Sequence, residues 1–266
     1  MSEFRSKRVL ITGGASGIGR GLAEELAARG AIVTIADLNL AGAQAVAGHI
    51  VQNGGQAIAV QLDVADGSAF TELVEAAGRL EYLFNNAGFA VFGESRDMRI
   101  ETWRRIVDVN LMGVVAGSLA AYKLMARQGY GHIVNIASFA GLAGAPLLSA
   151  YATTKAGVVM LSQMLRAEGE ALGVRVSAVC PGFIRTGILD HAEYVNTSKE
   201  AALAQVPVPF MELAPAVERI LRGVERNEAL IVFPFYAKLA WRLLRWFPFL
   251  APPLGRKLMR DFRGRP

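Results

Sequence analysis

Short apolar runs alternate with longer amphipathic segments along most of this 266-residue chain. The runs are rich in Val, Ile and Leu with little polar alternation, which is typical of strands buried on both faces. They predict strands at residues 8–12, 31–37, 56–62, 80–84, 132–137, 174–179 and 230–233. The segments between them predict helices at residues 17–29, 40–52, 68–77, 100–127, 149–172 and 215–226. Parallel neighbours need crossover helices, so this order favours an α/β fold with a doubly wound parallel sheet.

Composition agrees with one large domain followed by an extension. Apolar residue types make up 53% of the chain and charged residues 19%, whereas about 25% charged is usual. This excludes a disordered chain and indicates a buried sheet or a subunit interface, so we expect a homodimer or homotetramer. No internal repeat, low-complexity run or Pro/Gly-rich linker occurs before residue 233. The predicted division is a single domain at residues 1–233 and a C-terminal helical extension at residues 234–266.

Several classes of protein are excluded by the residue content. The one cysteine, Cys180, cannot form an intrachain disulfide, and the three histidines lack a ligand spacing, so we expect no metal site. The apolar run at residues 9–11 is too short for a signal peptide. Residues 128–154 are uncharged but broken by Gly, Ser, Asn and Pro, which argues against a transmembrane helix. We therefore expect a cytoplasmic protein.

A glycine-rich turn follows the first predicted strand, in the segment Thr12-Gly-Gly-Ala-Ser-Gly-Ile-Gly19. Its glycines at 13, 17 and 19 permit a tight turn, close approach to a pyrophosphate and close helix–strand packing. A phosphate would then meet the free N–H groups and the positive dipole end of the next helix. Strand, turn and helix in this order predict a Rossmann-like dinucleotide-binding site.

Asp37 closes the second predicted strand, 18 residues after Gly19. A carboxylate there would hydrogen-bond a ribose 2′-hydroxyl and repel a 2′-phosphate. Neither Arg nor Lys occurs at residues 38–40, so the sequence favours NAD(H) over NADP(H). The alternative is that Asp37 caps the next helix.

A candidate acid–base group comprises Ser138, Tyr151 and Lys155. Ser138 ends a predicted strand, and the other two lie four residues apart on one face of a predicted helix. A phenol has an ordinary pKa of about 10, which a neighbouring ammonium lowers by roughly 1–3 units, towards the range of general acid–base catalysis. Ser138 could donate to a developing alkoxide or carbonyl oxygen. The uncharged residues 139–148 indicate an apolar substrate site.

Further motifs follow predicted strands, and the ordered set resembles the short-chain dehydrogenase/reductase family, in its compact single-domain branch. Ligands of open parallel sheets bind beyond the carboxyl ends of the strands, where these motifs collect. The resemblance covers roughly residues 5–233. The matching segments are Thr12-Gly-x-x-x-Gly-x-Gly19, Asp63-Val64, Asn85-Asn-Ala-Gly88, Asn110, Ser138, Tyr151-x-x-x-Lys155 and Pro181-Gly182.

The resemblance implies an NAD(P)-dependent oxidoreductase with a catalytic set of Asn110, Ser138, Tyr151 and Lys155. In this family the Tyr passes the proton, and the Lys holds the nicotinamide ribose and lowers the pKa of the Tyr. The Ser orients the substrate oxygen, and the Asn supports a proton-relay water. The sequence therefore predicts interconversion of a small apolar secondary alcohol and its ketone by hydride transfer.

The resemblance also implies a set of cofactor-binding residues. Asp63 would contact adenine, the backbone of residues 86–88 the adenosine side, and Ile184 and Thr186 the nicotinamide amide. The full set is Gly13, Ser16, Gly17, Ile18, Gly19, Asp37, Asp63, Val64, Asn86, Ala87, Gly88, Tyr151, Lys155, Pro181, Gly182, Ile184 and Thr186. In the segment that the family uses as a substrate lid, four apolar residues are either pocket or ordinary core: Phe183, Ile188, Leu189 and Phe210.

Two alternatives stay open. One is a cofactor-bound scaffold that associates with membranes without turnover. The other is an isomerase or dehydratase that reuses the hydride chemistry, although the compact length leaves little room for a separate sugar-nucleotide domain.

The C-terminal region is strongly basic. Residues 233–266 carry eight basic residues and one acidic residue, a net charge of +7, so the rest of the chain carries −2 of the total of +5. A basic tail on a nearly neutral body argues against a nucleic-acid-binding domain. Residues 235–247 are amphipathic, with basic Lys238, Arg242 and Arg245 on one face and apolar Tyr236, Leu239, Leu243, Trp246 and Phe247 on the other.

A helix of this kind has two possible environments. It either lies in a membrane interface or packs its apolar face on the body or a sister subunit. We expect Pro248, Pro252 and Pro253 to stop the helix before the basic end of the chain.

Overall fold

The computed structural model describes residues 3–204 and 208–264. Its strands are β1 (Arg8–Thr12), β2 (Ile32–Asp37), β3 (Gln56–Gln61), β4 (Tyr82–Asn85), β5 (Val91–Phe92), β6 (Gly131–Ile136), β7 (Val174–Pro181), β8 (Glu193–Tyr194) and β9 (Leu230–Phe233). Its helices are α1 (Gly17–Ala28), α2 (Leu40–Gln52), α3 (Gly67–Ala76), α4 (Ile100–Val107), α5 (Gly113–Gln128), α6 (Ser149–Gly169), α7 (Lys199–Leu203), α8 (Leu213–Glu225), α9 (Phe235–Trp246) and α10 (Ala251–Arg263). Each strand and helix predicted from the sequence has a counterpart here.

Seven strands form one sheet in the order β3-β2-β1-β4-β6-β7-β9. All six neighbouring pairs are parallel, which confirms the doubly wound α/β fold. The chain winds outward from β1 to β3, then returns to the middle and winds the other way from β4 to β9. A crevice opens where the winding direction reverses, between the carboxyl ends of β1 and β4.

Two apolar cores lie on opposite faces of the sheet, because successive strand residues point to opposite sides. Val9 and Ile11 belong to the core under α1, α2 and α8. Leu10, between them in the sequence, belongs to the core under α3, α5 and α6. Both faces of the central strands are therefore buried, as their lack of polar alternation predicted.

The helix predicted at residues 100–127 is confirmed as one helical stretch, Ile100–Gln128, but it is not α-helical throughout. A π-helical turn, Asp108–Met112, separates α4 from α5 and carries the buried Asn110. Such a turn inserts an extra residue into the helix, and it occurs frequently at functional sites. The sequence pattern located the helix but did not reveal this turn.

The stretch Ile100–Gln128 is long and apolar enough to cross a membrane, but half of its most apolar window is buried inside the molecule. Ile106, Leu124 and Met125 are among the buried core residues. This is the pattern of a core helix that covers a sheet. The uncharged run at residues 128–154 divides between β6, a turn and the start of α6, so the argument against a transmembrane helix there is confirmed.

Some elements were not predicted from the sequence. The two-residue strands β5 and β8 pair in parallel outside the main sheet, and α7 follows them. The helix predicted at residues 235–247 ends at Trp246, before Pro248, as expected, but a separate helix that was not predicted, α10, then spans the basic end of the chain. Pro252 and Pro253 lie in the first turn of α10, where a residue without an N–H group loses no helical hydrogen bond.

Candidate active site

The glycine-rich turn joins β1 to α1 beside the crevice. Gly13 has a φ of +64°, and a Cβ on it would lie 2.7 Å from the Cα of Ala87. A Cβ on Gly19 would lie 2.2 Å from the carbonyl oxygen of Gly13. The N-cap residue of α1, Ser16, makes no side-chain capping hydrogen bond. Positions 13 and 19 therefore admit no side chain, and the first-turn N–H groups of α1 can donate to a phosphate.

Thr12 ties the glycine turn to the loop after β4. Its hydroxyl accepts hydrogen bonds from the N–H groups of Asn86 and Ala87 at 3.0 and 3.1 Å. The Asn86 side-chain amide donates to the carbonyl groups of Thr12 and Gly13, both at 3.0 Å. Sequence reasoning treated Thr12 only as the start of a motif, and a threonine at the end of a strand carries no separate signal. The structure shows that it fixes the floor of the crevice.

Asp37 stands at the end of β2 next to the glycine turn. Its Oδ2 accepts from the Ala15 N–H at 2.9 Å, and its Oδ1 accepts from the Asn39 N–H at 2.9 Å. The N-cap of α2 is Asn39, whose side chain accepts from the Gly42 N–H. Asp37 therefore does not cap α2, and its carboxylate borders the crevice.

The other acidic candidate, Asp63, is exposed just beyond β3 and accepts a hydrogen bond from the Ala65 N–H at 2.9 Å. Val64 is buried, and its side chain lies against Gly113. Asp63 is therefore the member of this pair with a solvent-accessible side chain, and only the main chain of Val64 can meet a ligand.

The segment after β7 forms the opposite wall of the crevice. Gly182 donates its N–H to the Phe233 carbonyl at 2.7 Å, which extends the pairing of Pro181 with that residue. A Cβ on Gly17 would lie 3.5 Å from Thr186, so this segment reaches the glycine turn. The Ile184 side chain is buried in the core, and only its main chain can meet a ligand in the crevice.

The π-helical turn brings Asn110 against the loop after β4. Its Oδ1 accepts from the Phe89 N–H at 3.0 Å, and its Nδ2 donates to the Phe89 carbonyl at 2.8 Å. A Cβ on Gly88 would lie 2.9 Å from Asn110 Oδ1 and 3.5 Å from Lys155 Nζ. Gly88 therefore allows the side chains of Asn110 and Lys155 to approach each other.

Tyr151 and Lys155 share one face of α6, as predicted. The Lys155 Nζ lies 5.8 Å from the centre of the Tyr151 ring and donates to the Ile136 carbonyl at 2.8 Å. Ser138 follows β6, and its Oγ accepts from the Ala140 N–H at 3.1 Å while contacting the Tyr151 phenol. The ends of β6 and α6 thus bring the three predicted side chains together.

The pKa values of these groups differ from the sequence expectation. Burial raises the pKa of Tyr151, and the hydrogen-bonding contact with Ser138 only partly opposes this. The lowering expected from a neighbouring ammonium is therefore not the main influence on the Tyr151 pKa, which burial of the phenol determines. Burial lowers the pKa of Lys155 to about 8, a change weakly opposed by Cys180.

An apolar cluster lies beside the Tyr151 ring. It combines Ala90 and Phe92 near β5, Leu148 before α6, and the segment around β8 with Leu189, Ala192, Tyr194 and Ala202. The Phe92 and Tyr194 rings stack with centroids 5.5 Å apart.

Of the predicted lid residues, Leu189 joins this cluster and Ile188 is partly exposed. The rings of Phe183 and Phe210 pack against each other with centroids 5.6 Å apart. Sequence reasoning missed Phe92 and Tyr194 because a two-residue strand leaves no periodic pattern.

This geometry agrees with the comparison with known families. The family described as short chain dehydrogenase matches residues 7–194. The chain belongs to the short-chain dehydrogenase/reductase family. It is therefore an oxidoreductase of that family with a Rossmann-like site for a nicotinamide cofactor, and the resemblance drawn from its motifs is confirmed.

Relatives and solved structures are similar over most of their length. A cyclohexanol dehydrogenase from Acinetobacter sp. strain SE19 is 36% identical over 227 residues, 83% of this chain and 89% of that protein. A family member from Burkholderia phymatum in complex with NAD has a TM-score of 0.85 at 29% identity, with 94% and 96% of the two chains covered. A short-chain dehydrogenase from Sphingobium yanoikuyae in complex with NADPH has a TM-score of 0.80 at 30% identity, with 96% and 95% covered.

The residues of the crevice fit a dinucleotide of this kind. Gly13 and Gly19 leave no room for side chains where a pyrophosphate would approach, and α1 presents its N-terminus there. Among the described residues, no group of three or more His, Cys, Asp or Glu side chains could hold a metal ion.

Two other titratable residues, Cys180 and His132, have structural surroundings. Cys180 is fully buried, and burial raises its thiol pKa to about 12, so it has little thiolate character at neutral pH. His132 lies at the far end of β6 from Ser138, where its Nε2 is 2.9 Å from the Ser177 hydroxyl. Burial, followed by the charges of Arg175 and Arg166, lowers its pKa to about 3.

A buried polar network behind the site was not predicted. Asn85 donates through Nδ2 to Asn135 Oδ1 at 2.8 Å, and Asn135 donates to the Ser162 hydroxyl at 3.0 Å. Asn85 also donates to the Ser118 hydroxyl at 3.1 Å. The network links β4 and β6 to α5 and to α6, the helix that carries Tyr151 and Lys155. Single polar residues within apolar runs were the only sequence signal for it.

Proposed function

We propose that this protein interconverts an apolar secondary alcohol and its ketone, with Tyr151 as the proton-transferring group. The observation that carries the proposal is the position of Tyr151, which contacts Ser138 on one side and the apolar cluster around Phe92 and Leu189 on the other. A polar oxygen site next to an apolar wall suits a carbonyl group with hydrocarbon substituents. The name of the cyclohexanol dehydrogenase relative agrees with such a substrate.

The bound nicotinamide supplies or accepts the hydride at the reacting carbon. In ketone reduction Tyr151 donates a proton to the carbonyl oxygen, while the Ser138 hydroxyl hydrogen-bonds the same oxygen. Because burial raises the pKa of Tyr151, the phenol is protonated at neutral pH, which is the form that donation requires. Lys155 uses one N–H on the Ile136 carbonyl, and its other donors are available to ribose hydroxyl groups. Asn110, held by Phe89, lines the same space and supports a relay water.

NAD(H) is the proposed cofactor of choice. Asp37 borders the crevice at the end of β2, and its carboxylate would accept a hydrogen bond from a ribose 2′-hydroxyl and repel a 2′-phosphate. No basic residue occurs at residues 38–40 to offset that repulsion. The two similar solved structures described above are one complex with NAD and one with NADPH. The proposed preference for NAD(H) is therefore based on Asp37 alone.

We also propose that the protein forms a homodimer or homotetramer through α5 and α6. Met112 and Leu119 on one side, and Met160 and Met164 on the other, expose 45–57% of their surface to solvent. These two helices lie next to each other on one face of the sheet, and adjacent exposed apolar side chains are typical of a subunit interface. Light scattering of the wild type and of a Leu119→Lys, Met164→Lys variant tests this; a wild type that is monomeric at micromolar concentration contradicts it.

The second candidate function is a membrane-associating scaffold without turnover, which the exposed apolar and basic C-terminal helices favour. A coupled pair of measurements separates the candidates. NADH binding is followed by fluorescence, and NADH oxidation is followed at 340 nm with cyclic, aryl and long-chain ketones. Turnover of at least one ketone supports the enzyme; tight NADH binding with no turnover across the panel supports the scaffold.

A further inference from the structure

Helix α9 presents three different stripes along its length. One stripe faces the body: Ala237 is fully buried, and Tyr236 and Trp241 pack on the same core cluster. A second stripe is apolar and exposed, and it consists of Phe235, Leu239, Leu243 and Trp246. The third is basic and consists of Lys238, Arg242 and Arg245, all exposed. The helix therefore packs on the body and still leaves a complete apolar stripe in solvent.

This arrangement corrects the sequence expectation of a single apolar face. Of the residues predicted for that face, only Tyr236 contacts the body; Leu239, Leu243, Trp246 and Phe247 are exposed. Ala237 and Trp241, four residues apart, provide the rest of the body contact. Periodicity could not reveal a helix with two apolar sides separated by a basic one.

The exposed apolar stripe continues into the turn before α10. Phe249 is 68% exposed and Leu254 60%, and Phe247 and Leu250 lie between the stripe and these residues. On α9, Phe235 and Trp246 are 79% and 78% exposed. We call these eight residues the apolar patch: Phe235, Leu239, Leu243, Trp246, Phe247, Phe249, Leu250 and Leu254. A contiguous set of large apolar side chains in solvent marks an interaction surface.

Basic residues without ion pairs lie on the same two helices as the apolar patch. Within residues 3–204 and 208–264, the ion pairs include none made by Lys238, Arg242, Arg245, Arg256, Lys257 or Arg260. The C-terminal basic residue that is paired, Arg263, binds Glu94 of the body at 2.6 Å. The partner that fits the surface is therefore apolar inside and negatively charged outside.

We propose that the apolar patch and its basic border dock this enzyme on a membrane that contains anionic lipids. Trp and Phe side chains enter the boundary between headgroups and acyl chains, and neighbouring Lys and Arg side chains bind the anionic headgroups. A second copy of the chain is the less suitable occupant, because symmetric pairing would bring two surfaces of the same strong positive charge together.

Docking would also orient the candidate active site. Arg263 of α10 donates a hydrogen bond to Glu94, two residues after β5. A Cβ on Gly255 would lie 3.6 Å from the Cγ of Pro146. Tyr236 of α9 lies against Gly182. These contacts fix the C-terminal helices to the loops that border the apolar cluster beside Tyr151. The rim of the site is therefore held next to the lipid-binding surface.

The test uses the full-length protein and needs no substrate, so that its outcome is independent of the proposed reaction. Vesicles of phosphatidylcholine with or without 30 mol% phosphatidylglycerol are sedimented with the protein at 50 and 500 mM NaCl. We expect binding to the anionic vesicles at low salt and at least a tenfold loss of binding at high salt, because exposed charges are screened. Protein that stays in solution with anionic vesicles at low salt overturns the proposal.

Variants identify the surface. Leu239→Ser, Leu243→Ser, Trp246→Ser removes exposed apolar groups, and Lys238→Glu, Arg242→Glu, Arg245→Glu reverses the basic stripe; each should reduce vesicle binding at least tenfold. Val51→Ser, Ile58→Ser is the control. The exposed fractions of these two residues, 55% and 61%, lie within the range of the substituted patch residues, but they are on α2 and β3. Circular dichroism checks that each variant is folded. Binding that survives both triple variants overturns the proposal, as does loss of self-association in the serine variant with unchanged vesicle binding.

Discussion

The Asn110 side chain makes two hydrogen bonds with the main chain of Phe89. Its Oδ1 accepts from the Phe89 N–H at 3.0 Å, and its Nδ2 donates to the Phe89 carbonyl at 2.8 Å. The π-helical turn at Asp108–Met112 makes this possible, because it turns the Asn110 side chain towards the loop after β4. The pair connects the middle of a long core helix to the edge of the candidate active site. These two hydrogen bonds therefore position both the loop after β4 and the Asn110 side-chain amide.

Replacing Asn110 with Ala should therefore reduce stability as well as activity. The Phe89 N–H and C=O would lose their buried partner, which costs about 1–3 kcal/mol. Urea unfolding measures this loss, and steady-state kinetics should show a fall in kcat. A variant with wild-type stability would show that water replaces the amide without cost.

Tyr151→Phe should lower kcat at least about 100-fold, because it removes the proton donor and keeps the ring that packs beside the apolar cluster. NADH binding, followed by fluorescence, should be unchanged. Thr154→Ser on the same helix is a suitable control, since its hydroxyl bonds only the Tyr151 carbonyl. Near-normal turnover by Tyr151→Phe would contradict the assigned role.

Asp37→Ala should narrow the preference for NADH over NADPH. The variant loses both the hydrogen bond to a ribose 2′-hydroxyl and the repulsion of a 2′-phosphate, so that kcat/KM with NADPH rises relative to that with NADH. Asp66→Ala controls for the loss of a carboxylate that accepts main-chain hydrogen bonds, since Asp66 accepts from the Ser68 and Ala69 N–H groups at the start of α3. A wild type that prefers NADPH would refute the cofactor proposal.

Two glycine substitutions should change different properties of the protein: Gly19→Ala its NADH affinity, and Gly48→Ala its stability. Gly19→Ala places a Cβ 2.2 Å from the Gly13 carbonyl oxygen, so the turn must shift, and NADH affinity should fall more than tenfold. Gly48→Ala, within α2, meets nothing within 4 Å and should stabilise the protein by about 0.5–1 kcal/mol, because alanine loses less entropy in a helix. Calorimetry and NADH titration check both; equal NADH affinity in Gly19→Ala and the wild type would contradict the pyrophosphate site.

Acid should destabilise the protein through His132. Its pKa is lowered from 6.5 to about 3 by burial, so between these values the unfolded chain binds a proton that the folded chain does not. The stability contribution of the neutral imidazole is complete above about pH 6.5 and decreases as the pH falls. At pH 5 the loss from this residue is about 2 kcal/mol. Urea unfolding of the wild type and of His132→Gln at pH 7 and pH 5 should show a smaller acid-induced loss in the variant; equal losses would refute this.

The sequence by itself determined the parallel α/β fold, the position of the glycine turn and the pairing of Tyr151 with Lys155 on one helix face. These are local properties: apolar runs without alternation identify buried strands, a turn that excludes side chains needs glycines, and a spacing of four residues places side chains on one face. The motifs at strand ends also converged as expected, because parallel strands direct their carboxyl ends to the same edge.

Other features were decided by tertiary structure alone. The π-helical turn at Asn110 and the short strands that carry Phe92 and Tyr194 depend on partners distant in the chain. Burial of the phenol raises the pKa of Tyr151, which is opposite to the lowering expected from a neighbouring ammonium. For α9, periodicity located the apolar residues. Which of them pack on the body and which are exposed to solvent depends on the position of the helix at the end of β9. Burial and hydrogen bonding between distant segments are properties of the packed molecule, and no local pattern encodes them.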